Sequence, residues 1–120
     1  MPIQSYKDLI VWQKSMQLVK EIYRVTKLMP KIEAYILVSQ MLRAAISIVS
    51  NIAEGFKRNH RAEYKQFLGH SNGSAGELET QILVAKDEYT NIDFSKAESL
   101  VIEVQKMLHA MILKLWAVPT

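Results

Sequence analysis

The placement of proline constrains this chain more than any other sequence feature. Its three prolines stand at positions 2, 30 and 119, so only Pro30 interrupts the interior. On both sides of Pro30, apolar residues recur at the spacings of three and four that are typical of amphipathic helices. No strand-like alternation, internal repeat or low-complexity segment competes with this pattern. The sequence therefore predicts an all-α fold.

The first half of the chain divides into two helical segments. The first covers about Tyr6–Leu28, and the second begins after Pro30-Lys31 and ends near Phe56 or Lys57. In the first segment the predicted core line is Leu9, Trp12, Met16, Val19 and Tyr23. A second apolar line flanks it, formed by Val11, Leu18, Ile22 and Val25.

The second half of the chain gives two further helices. The third starts at Asn59 or His60, of which asparagine is the better cap, and continues to about Tyr89. The fourth covers about Phe94–Trp116, started by Asp93 or by a capping box at Ser95. Short connections make neighbouring helices antiparallel. We therefore expect an up-down-up-down four-helix bundle, a single domain over residues 1–120.

Composition excludes several classes of protein. There is no cysteine, which removes disulfides and thiolate sites, and none of the three histidines lies in a Glu-x-x-His motif. We therefore expect no metal and no cofactor. The N-terminus lacks the pattern of a signal peptide. The longest charge-free stretches, Ala34–Leu42 and Ala44–Ala53, are 9 and 10 residues long, against roughly 18 for a membrane span. A cytoplasmic protein without a membrane segment is expected.

Three glycines fall within the third helix. Gly69, Gly73 and Gly76 follow one another at spacings of 4 and 3, so they share a helical face. They do not form a phosphate-binding loop, because no strand precedes them and the required lysine is missing. We expect a neighbouring helix to approach closely at this face. A break in the third helix is the alternative, since each glycine costs roughly 1 kcal/mol relative to alanine.

The second helix is apolar over most of its circumference. One apolar face consists of Leu37, Met41, Ala44, Ile48, Ile52 and Gly55. Another consists of Leu42, Ala45, Ile46, Val49 and Ala53. Together they exceed the arc of about 100° that a surface helix usually buries. We therefore expect the second face to meet another subunit.

A narrow line of polar residues, the polar seam, occupies what remains of the second helix. Its members are Gln40, Arg43, Ser47, Ser50, Asn51, Glu54 and Arg58, with Gly55 beside them. In one interpretation the seam residues pair with one another and fix helix or subunit register. In the other, Arg43 and Arg58 face a groove and contact phosphates. Glu54 is the one plausible general base, and no catalytic residue is otherwise indicated.

Basic residues are concentrated in two places although the net charge is only +3. The segments Tyr6–Leu28 and Lys57–Lys65 are each basic, whereas Glu77–Glu88 is acidic. Local basic clusters of this kind are compatible with binding a polyanion, and equally with a solvated surface. The candidate nucleic-acid contacts are Lys20, Arg24, Lys27, Arg43, Lys57, Arg58, Arg61 and Lys65.

Several motifs resemble those of one bacterial family. They are Tyr6–Lys14, Ser39–Ile48 with its Arg43-Ala44-Ala45, Ser50–Gly55 (SNIAEG) with Arg58, Gly73–Glu79 and Lys106–Leu108. The chain resembles the four-helix-bundle proteins encoded in intervening sequences of large-subunit ribosomal RNA genes. It departs from their pattern at Leu42, where arginine is frequent, at Val49, where proline is usual, and at His60, where a Ser or Thr cap is usual. The missing arginine weakens any polyanion site carried by that pair.

The resemblance implies an assembly and a class of partner. The family is similar to the accessory variability determinant of diversity-generating retroelements, a basic homopentamer that binds nucleic acid and a reverse transcriptase. A homopentamer is therefore expected here, with RNA or DNA and possible protein partners such as a reverse transcriptase. The function expected is that of a non-enzymatic, nucleic-acid-binding accessory protein. The alternative is a protein-interaction scaffold that binds no nucleic acid.

Overall fold

Four long helices form the protein, and the all-α prediction is confirmed. The computed structural model describes residues 2–117, and its regular structure over that range is entirely helical. The helices are α1 (Ile10–Thr26), α2 (Ser39–Lys57), α3 (Arg61–Glu88) and α4 (Ser95–Ala117). They pack as an antiparallel bundle with principal extents of 48 × 23 × 23 Å. Helix α3 runs through its three glycines without a break.

The N-terminal end of the bundle differs from the prediction. Tyr6–Asp8 forms a separate 3₁₀ turn, and α1 begins only at Ile10. The Ser5 side chain accepts a hydrogen bond from the Lys7 N–H at 3.2 Å. The Asp8 carboxylate accepts one from the Ser5 N–H at 3.1 Å. This capping box satisfies the backbone locally and turns the chain before the helix starts, which periodicity does not reveal.

The predicted core line of α1 is only partly buried. Leu9, Trp12 and Val19 pack half-buried against the core, whereas Met16 and Tyr23 are each 43% exposed. The flanking line of Val11, Leu18, Ile22 and Val25 is the buried one. The buried line is continuous only when Ser15 is counted in it. Ser15 is fully buried, and its hydroxyl donates to the Val11 carbonyl at 2.7 Å, which removes the penalty for burying it.

The segment leading into α2 is not α-helical. Lys31–Glu33 forms a 3₁₀ turn and Ala34–Val38 a π-helix, so regular α-helix begins at Ser39 and not directly after Pro30-Lys31 as predicted. The helix ends at Lys57, as predicted. Three apolar side chains on this segment are strongly exposed. They constitute the end patch: Ile32 (78%), Tyr35 (96%) and Ile36 (62%).

Lys31–Lys57 is long and apolar enough to cross a membrane by length and composition, with 33% of its most apolar window buried in the bundle. The expectation that no segment meets this test was therefore wrong. It required a stretch free of charge, whereas a spanning segment can include a few charged residues. A core helix of a bundle passes the same test. Here the stretch packs against the other helices through one face.

Buried residues of α2, α3 and α4 recur at spacings of three and four. One face of α2 is buried from Met41 to Gly55, and the other predicted face is buried only at Ala45. The largest fully buried side chains are Leu18, Ile22, Met41, Ile48, Ile52, Leu68, Leu78, Ile82, Leu108, Val25, Val101 and Val104. Helix α4 starts where the Asp93 carboxylate accepts the Ser95 N–H at 2.9 Å, so capping by Asp93 is confirmed.

The turn between α2 and α3 has a different cap from the preferred one. His60 is the extended N-cap residue of α3, and its side chain makes no capping hydrogen bond. Asn59 instead has a φ of 54°, in the left-handed region. Asparagine tolerates that region better than most residues, so it ends α2 rather than starting α3.

At the opposite end of the α2–α3 pair, one hydrogen bond joins the segment before α2 to the C-terminal end of α3. The Tyr89 hydroxyl donates a short hydrogen bond to the Glu33 carboxylate. This hydrogen bond, together with burial, raises the pKa of Tyr89 to about 12 from 10.0. Since the folded protein holds the neutral phenol, the contact stabilises the fold below pH 10 and is lost as the pH rises towards 12.

We expect Tyr89→Phe to lower the free energy of unfolding at neutral pH and to flatten its decline above pH 10. Urea titrations between pH 7 and 11.5 measure both effects. Tyr35→Phe is the matched control, because Tyr35 is 96% exposed. If the free energy of unfolding of the wild-type protein and of Tyr89→Phe changed in parallel with pH, the stabilising role of the Tyr89–Glu33 hydrogen bond would be contradicted.

Candidate functional site

The candidate nucleic-acid contacts do not form one site. Lys20, Arg24 and Lys27 lie near the C-terminal end of α1. The junction group, which lies where α2 meets α3, consists of Lys57, Arg58, Arg61 and Lys65. Lys57 lines a depression together with Tyr6, which precedes α1, so the junction group sits beside the opposite end of α1. Helix α1, whose 17 residues span roughly 25 Å, lies between the two places.

Side chains of the junction group are engaged within the protein. Arg58 contacts the carboxylates of Glu54 at 3.5 Å and Glu63 at 3.7 Å, and it lies 5.1 Å from the centre of the Phe67 ring. The Lys65 ammonium lies 3.4 Å from the centre of the Trp116 ring. Exposed ion pairs of this kind contribute about 0–1 kcal/mol, but they fix where the cations point. Glu54, the one plausible general base, is thus an exposed partner of arginine.

The middle of the polar seam ties α2 to α3. Ser47 Oγ and Ser74 Oγ are hydrogen-bonded at 2.9 Å, and Asn51 Nδ2 donates to the Ser47 carbonyl at 2.8 Å. Ser71 Oγ donates to the Ile48 carbonyl at 2.8 Å from the buried side of the pair. These bonds set the register of the two helices, as the first interpretation of the seam expects.

Three seam residues make no hydrogen bond or ion pair within residues 2–117: Gln40, Arg43 and Ser50, all of which are exposed. Arg43 is therefore not satisfied by the other seam residues of its own chain. Its guanidinium is available to a ligand or to another subunit.

Gly55 allows α3 to approach α2 closely. A Cβ atom at position 55 would lie 2.7 Å from the Phe67 Cβ and 3.2 Å from the Tyr64 ring. Both distances are shorter than an ordinary van der Waals contact. Glycine is therefore required at this crossing, as expected from its place beside the seam.

The glycines of α3 have a different environment from the predicted one. A Cβ atom at position 69, 73 or 76 would meet nothing within 4 Å. Gly69 and Gly73 instead line an open depression of about 480 Å³, which we term the α2–α3 groove, together with Ser47, Asn51, His70, Ser74 and Glu77. The prediction was that a neighbouring helix approaches this face closely. No helix of residues 2–117 does so, since that face of α3 is open.

A cleft between α1 and α4 holds the other basic cluster. This α1–α4 cleft has a volume of about 800 Å³ and is lined by Gln17, Lys20, Glu21, Tyr23, Arg24, Lys27, Leu28 and Lys96. Lys96 was missed in the sequence because it is isolated there. Antiparallel packing of α1 against α4, in a register that also pairs Lys14 with Glu103 at 3.4 Å, brings Lys96 into the same cleft as Glu21.

Arg24 is held in the cleft by a buried carboxylate. Glu21 is 4% exposed, and its oxygens accept from Arg24 Nε at 2.9 Å and from Arg24 Nη2 at 2.7 Å. This two-pronged bond raises the pKa of Arg24. Within the described range Arg24 Nη1 makes no hydrogen bond, so that edge of the guanidinium is left for a ligand.

The remaining cations of the cleft are unpaired. Lys20, Lys27 and Lys96 are exposed and form no ion pair within residues 2–117. Asp93 lies near Arg24, and its pKa is lowered first by hydrogen bonds from Ser95 and then by Arg24. Four cations thus face two carboxylates, which leaves the cleft positive. Over the same range no group of three His, Asp or Glu side chains could hold a metal ion.

Comparisons with known proteins agree on the family and the fold. Residues 7–110 match the family model described as 23S rRNA-intervening sequence protein. A crystal structure of a protein of unknown function from the S23 ribosomal protein family of Bacteroides thetaiotaomicron superposes with a TM-score of 0.77. It shares 23% identity, covering 86% of this chain and 98% of the other, so the likeness bears on the fold alone. No curated protein matches the chain.

We expect Gly55→Ala to lower the free energy of unfolding by up to about 2 kcal/mol. Overpacking at the α2–α3 crossing costs about 1–3 kcal/mol, which exceeds the roughly 1 kcal/mol gained in helix propensity. Urea unfolding followed by circular dichroism measures the change. Gly76→Ala is the matched control and should gain stability, because its Cβ meets no atom within 4 Å. Equal effects at the two positions would refute the role given to Gly55.

Proposed function

The chain belongs to the 23S rRNA-intervening sequence protein family, and we propose that it is a non-enzymatic, homo-oligomeric protein that binds RNA or DNA. In this proposal it acts in the cytoplasm as an accessory to a nucleic-acid enzyme. The observation that carries the proposal is the α1–α4 cleft, in which Lys20, Lys27 and Lys96 face solvent unpaired around an anchored Arg24.

Phosphate contacts account for this arrangement better than solubility does. Isolated surface lysines improve solubility wherever they stand, and no cleft is needed. Here two helices that are distant in sequence place four cations around one opening. A buried glutamate holds one of them in a fixed position. Converging cations of this kind suit a phosphodiester backbone, on which binding weakens steeply with salt.

The junction group has a secondary role in this proposal. Arg58 and Lys65 are held by Glu54, Glu63 and Trp116, so a phosphate would have to compete with these contacts. Lys57 and Arg43 are exposed, and Arg43 forms no ion pair within residues 2–117. These two residues are further candidate phosphate contacts outside the cleft.

We expect the triple substitution Lys20→Gln, Lys27→Gln and Lys96→Gln to weaken binding of single-stranded RNA. Loss of three phosphate contacts should also reduce the slope of log K against log salt by about 2. Fluorescence anisotropy from 50 to 200 mM KCl measures both quantities. The control is a second triple variant, Lys7→Gln with Lys106→Gln and Lys114→Gln. It removes the same charge from exposed positions outside the cleft.

Two outcomes would count against the proposal. Equal losses in the two triple variants would show that only overall charge matters. Failure of the wild-type protein to bind RNA or DNA at low salt would remove nucleic acid from the function altogether.

Homo-oligomer formation, as a pentamer, is the second part of the proposal. Ile46, on the second apolar face of α2, is 42% exposed, and Gly69 and Gly73 leave the adjoining α2–α3 groove open. Exposed glycines weaken a helix without benefit to the monomer, whereas they would admit a helix of another copy. Five copies of a +3 protomer would carry about +15, which strengthens attraction of a polyanion.

We expect light scattering after size exclusion to give a pentamer at micromolar concentration. Gly69→Gln with Gly73→Gln should reduce assembly while leaving the protomer folded, because glutamine favours helix and meets open space at both positions. Gly76→Gln, which lies outside the α2–α3 groove lining, is the control. A wild-type monomer would overturn this part of the proposal.

The scaffold alternative is favoured by one separate observation, the end patch. Tyr35 is 96% exposed beside Ile32 and Ile36. Aromatic and aliphatic side chains grouped at a surface are typical of protein–protein contacts. The end patch therefore supports a protein partner, of which a reverse transcriptase is the example that the resemblance implies. If nucleic acid is not bound, this partner would be the whole function.

A further inference from the structure

The α1–α4 cleft contains an aromatic ring among its cations. Tyr23 is 43% exposed and lines the cleft beside Leu28, which is 57% exposed. The Tyr23 hydroxyl makes no hydrogen bond within residues 2–117, so no contact there explains why the ring faces the cleft. A ring of this size on a solvated helix face offers a flat apolar surface that pure phosphate binding does not require.

We propose that the α1–α4 cleft binds single-stranded nucleic acid, with one base stacked on Tyr23 and the flanking phosphates on Lys20, Lys27 and Lys96. This inference rests on the proposed function and specifies the form of the nucleic acid. It assigns base recognition to a residue that charge alone does not identify.

The spacing along α1 supports this assignment. Lys20, Tyr23 and Lys27 stand at i, i+3 and i+7, so all three lie on one face of the helix. The two lysines are about 4.5 and 6 Å from Tyr23 along the helix axis. One lysine therefore precedes Tyr23 and one follows it on this face of the helix, as the phosphates before and after a stacked base would require.

Arg24 adds a fixed contact next to the ring. Its Nε and Nη2 are bound to buried Glu21, which leaves Nη1 to donate at a position set by the fold. A flexible lysine loses side-chain entropy when it binds phosphate, whereas this guanidinium is already ordered. Lys96 reaches the same opening from α4, so the strand would be held from two helices.

A duplex cannot use this arrangement fully. Its bases are stacked inside the helix, and only phosphates, sugars and base edges are accessible to the protein. A single strand can present the face of a base to an aromatic side chain, and stacking of this kind tolerates any sequence. The cleft should therefore prefer single strands and show little base specificity.

The test compares three ligands: a labelled 12-nucleotide oligo(dT), an abasic strand with the same number of phosphates, and a 12-base-pair duplex. Anisotropy titrations at 50 mM KCl should show about tenfold tighter binding of oligo(dT) than of the abasic strand. Tyr23→Ala should lower the affinity for oligo(dT) to the affinity for the abasic strand, and it should leave the affinity for the abasic strand unchanged. Tyr23→Phe should retain the preference, and Tyr35→Ala is the control for loss of an exposed tyrosine.

The outcomes separate this inference from the proposed function. Stacking would be overturned if the wild-type protein bound oligo(dT) and the abasic strand with equal affinity. If the lysine triple variant then lost affinity for both strands, phosphate binding would stand. Absence of binding to all three ligands would overturn both. An unchanged affinity of Tyr23→Ala for oligo(dT) would also reject the role of Tyr23. Retained abasic binding by Tyr23→Ala shows that the variant is folded.

Discussion

The close pairing of α2 with α3 is the interaction on which the rest of the structure depends. It is fixed at three heights: by glycine at position 55 against Phe67, by Ser71 donating to the Ile48 carbonyl, and by Tyr89 with Glu33 at the far end. Each contact forms in only one register of α2 against α3, so together the three contacts prevent one helix from sliding along the other. Helices α1 and α4 then pack against this pair, and their own alignment creates the α1–α4 cleft.

Much of the fold could be predicted because helical periodicity reports burial directly. The all-α bundle, the end of α2 and the buried lines of α3 and α4 follow from apolar spacing. The errors arose where polar groups decide the structure. Ser15 hides the buried line of α1, since its hydroxyl is satisfied by the preceding turn. Ser5 and Asp8 turn the chain before α1 through local hydrogen bonds.

The candidate site was only partly visible in the sequence. Lys20, Arg24 and Lys27 stand out as a basic face of one helix, but Lys96 joins them only through the register of α1 against α4. The same limit applies to the junction group, whose cations look free until Glu63, Phe67 and Trp116 are placed beside them. The number of charged residues can be counted in a sequence, whereas the residues that pair with each cation are known only from the fold.

The buried position of Glu21 links the charge of the cleft to the integrity of the bundle. A carboxylate that is 4% exposed needs a cation beside it, because an unpaired buried charge is strongly destabilising. Arg24 is therefore required by folding whether or not a ligand is present. Folding places no such requirement on the free lysines of the cleft. Arg24 would persist as long as Glu21 stays buried, so the arginine alone is a poor marker of function among related chains.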